Sequence, residues 1–254
     1  MSFPTMATID RSVALAQSST QGMHPLSTLA MDQYGDIYRY CKAAAGAITK
    51  GKLVQQAAGP ADHIKDLAVA SAAAIGDKSI TITNGPTTAI TVDMFKDGIV
   101  FVNDADGEGQ CLRIVSNTAA ATGDSCVLTL QDALTTALTT SSQVGLRKNL
   151  CKDVIVNPTT PSGKPLGITT LDITASYYFW ALVKGSAAVL THGTVIVGKM
   201  VAPGATTAGS VDTYPITLTE GTPNTYVPGD SPCVGIVLSV GATTEYSLIA
   251  VDLL

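Results

Sequence analysis

An acidic run, NDADGEG at 103–109, carries the side chains of this sequence that are best suited to metal chemistry. Asp104, Asp106 and Glu108 alternate as oxygen donors, and Ca²⁺ prefers carboxylate oxygens as ligands. The run lacks the glutamate at the twelfth position that an EF-hand loop needs, because Val115 stands there. Asp and Gly are also typical of tight turns. Since the run stands between FV and CLRIV, we interpret it as a hairpin turn and expect no metal site.

Three histidines, His24, His63 and His192, are the candidates for general acid–base chemistry. No GxSxG, HExxH, P-loop or GxGxxG motif accompanies them, and no paired carboxylates form a glycosidase-like motif. His192 lies in KGSAAVLTHGTVIVGKMV (184–201), whose glycines and apolar segments predict two strands joined by a turn. We therefore predict no catalytic residue, no cofactor-binding residue and no cofactor, and expect that the protein is not an enzyme.

The aromatic segment Tyr177–Trp180 is the candidate binding element. Alternation along a strand places Tyr178 and Trp180 on one face and Tyr177 and Phe179 on the other. Such a strand either stacks on a carbohydrate or seals a core on one face and an interface on the other. The core is the favoured interpretation, and the carbohydrate platform stays open as the alternative.

Five cysteines stand at positions 41, 111, 126, 151 and 233, without the spacing of a metal or CxxC motif. An odd number of cysteines cannot pair completely within one chain. We expect buried apolar thiols and synthesis in a reducing cytoplasm, with an intermolecular disulfide as the less favoured alternative.

The composition of the 254-residue chain is apolar and poor in charge. Hydrophobic residues make up 46%, charged residues 14%, and the mean hydropathy is +0.29. The longest apolar run, 177–183, is too short to span a membrane, and the N-terminus does not resemble a signal peptide. The net charge is −5, and Lys50/Lys52 and Arg147/Lys148 are the best basic pairs, which disfavours nucleic-acid binding. A surface with so little charge predicts coverage by protein partners.

Short alternating apolar segments separated by Gly, Pro and Thr predict a mainly β protein of β-sandwich or small-barrel domains built of repeated hairpins. Residues 1–33 lack periodicity and are interpreted as an extended N-terminal arm that neighbouring molecules would order. The segments 34–65 and 149–254 form the predicted main β domain. The segment 66–148, with four or five strand candidates, is the predicted inserted small β domain.

Two internal repeats support the predicted hairpins. In the first, KAAAGAITKG (42–51) matches KGSAAVLTHG (184–193), and GKLV recurs as GKMV, so that His192 aligns with Lys50 at a turn. In the second, the spacing from Gly167 to Tyr178 equals the spacing from Gly235 to Tyr246.

The segments HPLSTLAMDQYGDIYRYCKAAAGAITKGKLVQ, VFVNDADGEGQCLRI, VIVNPTT, GKPLGI, ITASYYFWALVKGSAAVL and GTVIVGKMVAPGATTAG together resemble tailed-bacteriophage virion proteins. The resemblance extends from about residue 24 onward and is closest to head decoration, or cement, proteins. It implies a protein of the capsid surface, commonly trimeric, that binds the major capsid protein over subunit junctions. Families of this kind have no active-site residues to carry over.

The sequence therefore leads to a non-enzymatic structural protein that decorates and stabilises a phage capsid. The expected partners are the major capsid protein and copies of the chain itself, as a homotrimer, with no nucleic acid and no membrane. The expected location is the virion surface after synthesis in the host bacterial cytoplasm. The alternative is a fibre or tail component of the virion that binds host glycans.

Overall fold

The computed structural model of the protein describes residues 6–160, 162–214, 216–219, 225–228 and 231–254, with the backbone alone at 216–219 and 225–228. The structure is almost entirely β, which confirms the predicted fold class. The chain divides into two compact units, Met1–Ala57 with Cys151–Leu254 (unit 1) and Ala58–Leu150 (unit 2). Among the described residues, no helix has the length and apolar character to cross a membrane.

The elements before unit 2 include one short helix, α1 (Arg11–Ala14), and the strands β1 (Ala7–Thr8), β2 (Gln17–Ser18), β3 (Leu29–Met31), β4 (Ile37–Lys42) and β5 (Leu53–Gln56). Unit 2 contains a 3₁₀ turn (Ala61–His63) and the strands β6 (Leu67–Ala68), β7 (Ser79–Thr83), β8 (Ile99–Asp104), β9 (Cys111–Asn117), β10 (Ser125–Leu130) and β11 (Gln143–Arg147). Unit 1 then continues with β12 (Val154–Val156), β13 (Pro165–Thr169), β14 (Tyr178–Leu190), β15 (Met200–Pro203), β16 (Val211–Thr213), β17 (Ile216–Thr219), β18 (Thr225–Pro228), β19 (Gly235–Ser239) and β20 (Tyr246–Asp252).

Unit 1 is organised around β14, a strand of 13 residues. Its neighbours β4 and β20 are both antiparallel to it, and the sheet continues from β20 through β19 and β15 to β16. A parallel bridge between Thr191 and Val211 brings β16 back to the end of β14, so this part of the sheet is a nearly closed barrel. Val189, Val201 and Ile249, all 0% exposed, lie in its core.

Unit 2 is a small barrel of six strands in the order β6-β11-β8-β9-β10-β7. The bridge between Val69 and Ile82 joins the two ends of that order. The strands alternate as expected for a barrel, since residues of β10 are exposed and buried in turn and Leu128 faces the core. Unit 2 begins at Ala58 rather than at the predicted residue 66, because His63 packs its buried ring edge-on against Phe95.

The first predicted repeat does not consist of two hairpins. Strands β4 and β5 are not paired with each other, and neither are β14 and β15, because β5 pairs with β12 and β13 while β15 pairs with β16 and β19. The GKLV and GKMV parts are nevertheless equivalent in structure. Gly51 (φ 68°) and Gly198 (φ 80°) both adopt the left-handed conformation just before a strand, which glycine tolerates without steric cost.

The second predicted repeat does consist of two β-hairpins. Strand β13 pairs with β14 and β19 with β20, both antiparallel. A Cβ atom on Gly167 would lie 2.8 Å from the Cβ of Ala181, and one on Gly235 would lie 2.1 Å from the carbonyl oxygen of Ala250. The repeated glycine is therefore required by the close approach of the partner strand.

Residues 6–33 differ from the expected arm, because they pack into unit 1 of their own chain. Strand β1 is parallel to β3, β3 is antiparallel to β4, and β2 pairs with β14. Ile9, Ala14 and Ala30 are buried in the core of unit 1. Their apolar contacts lie far away in sequence, so the lack of local periodicity did not indicate disorder.

Candidate functional site

The acidic run forms the turn between β8 and β9. Asp104, Asp106 and Glu108 are all exposed, and Asp106 is hydrogen-bonded to the segment that leads into β11. Its Oδ2 accepts a hydrogen bond from Thr139 Oγ1 at 3.0 Å, and its carbonyl oxygen accepts one from Ser142 Oγ at 2.7 Å. In the part of the chain that the structure describes, no group of three His, Cys, Asp or Glu side chains has the arrangement of a metal site.

The three histidines lie in three different environments. His63 is buried in unit 2, where its Nε2 lies 2.9 Å from Asn84 Oδ1. His24 lies edge-on to the ring of Trp180, with ring centroids 5.3 Å apart. His192 lies two residues after the end of β14, and its backbone N–H donates to the carbonyl of Val211 at 3.0 Å. His192 therefore lies where the barrel of unit 1 closes, not at the tip of a hairpin.

The aromatic segment divides between two cores as its alternation predicts. Trp180 packs in the barrel core of unit 1, with Tyr178 against it, whereas Phe179 and Tyr177 belong to a second cluster on the other face of β14. Tyr40 contacts the Trp180 ring at 4.8 Å between centroids. Trp180 is 3% exposed, so its indole presents no free face to a sugar.

A charged cluster that the sequence analysis missed fixes the N-terminal segment on unit 1. Arg11 Nη1 lies 2.9 Å from Asp32 Oδ2 and 2.9 Å from Asp36 Oδ2. The side chain of Asp32 is fully buried, and the Tyr38 hydroxyl lies 3.4 Å from the same guanidinium nitrogen. The hydrogen bond to Asp36 is the main cause that raises the pKa of Arg11. Asp32, Asp36 and Tyr38 lie 21 to 27 positions after Arg11, so no short motif indicates the cluster.

A cavity of about 300 Å³ opens beside this cluster. Arg11, Tyr38, Lys50, Thr170 and Tyr246 contribute polar groups to its lining. That volume is at the lower limit of small-molecule sites. Because two carboxylates already neutralise the guanidinium, the cluster serves to hold the N-terminal segment rather than to bind an anion.

Burial raises the pKa of Tyr38 to about 12, from an ordinary value of 10.0. As the pH rises through this interval, the unfolded chain releases a proton that the folded chain retains, so stability present below pH 10 is lost. We expect the unfolding free energy of the wild type to fall by about 2 kcal/mol more than that of Tyr38→Phe over this window. Urea titrations at a series of alkaline pH values measure the difference. Equal slopes for the two proteins would contradict the burial of this hydroxyl.

An uncharged outer face of exposed apolar side chains lies on β15, β19 and β20. Met200, Ile236, Leu238 and Leu248 on this face are between 41% and 48% exposed. Met200 pairs with Ile236, and Ser239, the residue after Leu238, pairs with Leu248, so the four residues lie on three adjacent strands. The sequences of these strands are MVAP, GIVLS and YSLIAVD, whose single charged residue stands at the end of β20. We refer to Met200, Ile236, Leu238 and Leu248 as the outer face.

Single exposed apolar residues are normal on soluble proteins, but a contiguous group of them marks an interaction surface. The four side chains of the outer face are all apolar and include no nucleophile, acid or base. Sequence reasoning could have found it, because Ile236 and Leu238 alternate with buried residues in an apolar strand. The sequence alone did not contain the strand pairing that places Met200 and Leu248 beside them.

Comparisons with protein-family models, with curated proteins and with solved structures found no match to this chain.

Proposed function

We propose that this chain is a non-enzymatic structural protein of a phage virion, which decorates and stabilises the capsid by binding the major capsid protein at subunit junctions. The outer face is the observation that carries the proposal. Four large apolar side chains on adjacent strands keep more than two fifths of their surface exposed in the single chain. Covering them with another protein releases water from apolar surface, which favours association.

The low charge of the outer face supports a large and permanent contact rather than an electrostatically guided one. A neighbouring protein that covers these strands need not remove unpaired charges from water. The one acidic residue of β20, Asp252, lies 3.8 Å from Lys184 at the margin. The resemblance to head decoration proteins supplies the nature of the neighbour, the major capsid protein, and adds a homotrimer as the form in which the chain attaches.

Two of the side chains with catalytic potential, those of Asp106 and His63, are engaged within their own unit, which supports a structural role. Asp106 accepts hydrogen bonds from its own unit, and His63 is buried beside Asn84. The glycan-binding alternative requires an exposed Trp180 ring for stacking on a sugar. It is less favoured, because Tyr40 and His24 enclose this ring.

The test uses capsids of the phage whose genome encodes this chain, assembled without it and then supplied with purified protein. We expect the wild type to co-sediment with the capsids and to spread over the head in electron micrographs of labelled particles. The double variant Leu238→Glu/Leu248→Glu should bind at least about tenfold more weakly, because capsid contact would then bury two unpaired carboxylates.

The matched control is Val115→Glu/Val127→Glu on β9 and β10 of unit 2, where both valines are similarly exposed at 40% and 36%. This variant should bind like the wild type, and both variants should keep the wild-type melting temperature. Unchanged binding of the Leu238/Leu248 variant would reject the outer face as the contact. Labels confined to the tail would reject decoration and favour the fibre or tail alternative.

A further inference from the structure

Two of the five cysteines meet in the interior of unit 1. Cys41 lies in β4 and Cys151 is the first residue of unit 1 after unit 2, and both are 0% exposed. The backbone N–H of Lys42 donates to the carbonyl of Cys151 at 2.8 Å, which holds the two cysteine-bearing segments side by side. They share a cluster with Phe179, which packs beside them under β14.

The other three cysteines have different surroundings. Cys126 is buried in unit 2, where its thiol donates to the carbonyl of Thr118 at 3.2 Å. Cys111 is exposed, and Cys233 is half-buried. Cys41 and Cys151 are therefore the two cysteines that the described chain brings into one buried cluster.

We infer that Cys41 and Cys151 are a site of oxidative modification, at which a small disulfide such as oxidised glutathione converts the dithiol into an intramolecular disulfide bond. In the first step the Cys151 thiolate attacks one sulfur of the small disulfide, forms a mixed disulfide and releases one small thiolate. In the second step Cys41 loses its proton and attacks the Cys151 sulfur, which releases the other small thiolate. The protein loses two electrons and two protons, and the small disulfide becomes two thiols.

The surroundings of the pair suit this order of attack. The hydrogen bond from Cys41 lowers the pKa of Cys151, whereas burial raises the pKa of Cys41. Cys151 is thus the thiol that more readily forms the attacking thiolate. Because both sulfurs are enclosed, the reagent reaches them while unit 1 is still folding or transiently open, and the closed core then shields the finished bond from reduction.

The position of the bond in the chain gives it a structural effect. A link between Cys41 and Cys151 closes a loop that contains β5 and the whole of unit 2. Cross-links that close loops of about 100 residues restrict the unfolded chain strongly. The bond would hold the returning chain on β4 whether or not unit 2 is folded. This inference is independent of the capsid-binding proposal, since it concerns the interior of unit 1.

The experiment oxidises the full chain with glutathione disulfide, both in the native state and during refolding from denaturant. Remaining thiols are blocked, and peptides are mapped by mass spectrometry. We expect a linked peptide pair containing Cys41 and Cys151, the loss of two of the five thiols, and a melting temperature several degrees higher than that of the reduced protein. Reduction in denaturant, followed by refolding, should restore the lower value.

Cys151→Ala should abolish both the linked peptide and the rise in melting temperature. The matched control Cys126→Ala, which removes a buried thiol of unit 2, should retain both. If Cys151→Ala does not fold, the peptide map of the wild type decides alone. The inference is overturned if glutathione leaves these two thiols free under refolding conditions, if it links another pair instead, or if the linked protein melts at a lower temperature.

Discussion

Replacing Trp180 with alanine is expected to lower the unfolding free energy by about 3–5 kcal/mol, the range measured for large buried aromatic side chains. The indole is 3% exposed and packs against Tyr40 at 4.8 Å and His24 at 5.3 Å between ring centroids. Truncation removes these contacts and leaves a cavity that the rigid strand β14 cannot close. Urea denaturation followed by circular dichroism measures the loss, since the variant has no tryptophan for fluorescence.

Tyr34→Ala is the matched control, because this aromatic side chain is 73% exposed. Its ring lies 5.5 Å from the Arg11 guanidinium carbon, so we expect a loss of no more than about 1 kcal/mol. An equally small loss for Trp180→Ala, together with measurable glycan affinity of the wild type, would favour the carbohydrate-binding alternative over decoration.

Deleting residues 1–20 is expected to destabilise the protein by at least about 3 kcal/mol. The deletion removes α1 with β1 and β2, takes Ile9 and Ala14 out of the core, and leaves the buried Asp32 carboxylate without Arg11. An unpaired buried charge and an apolar vacancy both raise the free energy of the folded state. Thermal and urea unfolding of the truncated chain measure the effect.

Lys65→Ala is the control for the charge component. Lys65 Nζ lies 3.2 Å from Asp66 Oδ2, and both side chains are exposed to solvent. Loss of this ion pair should therefore lower the unfolding free energy by less than about 1 kcal/mol. If the truncated chain unfolded at the wild-type temperature, the N-terminal segment would be the independent arm that its lack of periodicity suggests, and its order would depend on a neighbouring molecule.

The alternation of residues along strands predicted which side chains share a face, but not which strands pair. Tyr178 and Trp180 lie together as expected, because the side-chain period of two is a property of the single strand. The predicted hairpin at 184–201 is wrong because β15 finds its hydrogen bonds with β16 and β19. Pairing is decided by contacts across the whole unit, which a local pattern does not contain.

The same limit explains which parts of the candidate sites were predictable. The apolar alternation of β19 is visible in GIVLS, whereas the approach of Met200 and Leu248 depends on sheet order. The Arg11–Asp32 pair and the Cys41–Cys151 contact each join residues far apart in the chain. Charged and sulfur-containing side chains at such separations carry no spacing signal, so only the folded structure brings them together.

The pairing of β5 with β12 has a consequence for the ancestry and engineering of the chain. Gln56 lies opposite Val154, and the N–H of Ala57 donates to the carbonyl of Asp153 at 3.1 Å, so the polypeptide leaves unit 1 and returns to it on adjacent antiparallel strands. Such strands are about 4.8 Å apart, a gap that an ordinary hairpin loop of two to five residues spans. The junction is therefore a site at which a domain can be inserted. Insertion, loss or replacement of Ala58–Leu150 during evolution need not change the fold of unit 1. A foreign domain whose two ends lie close together can be inserted at the same position.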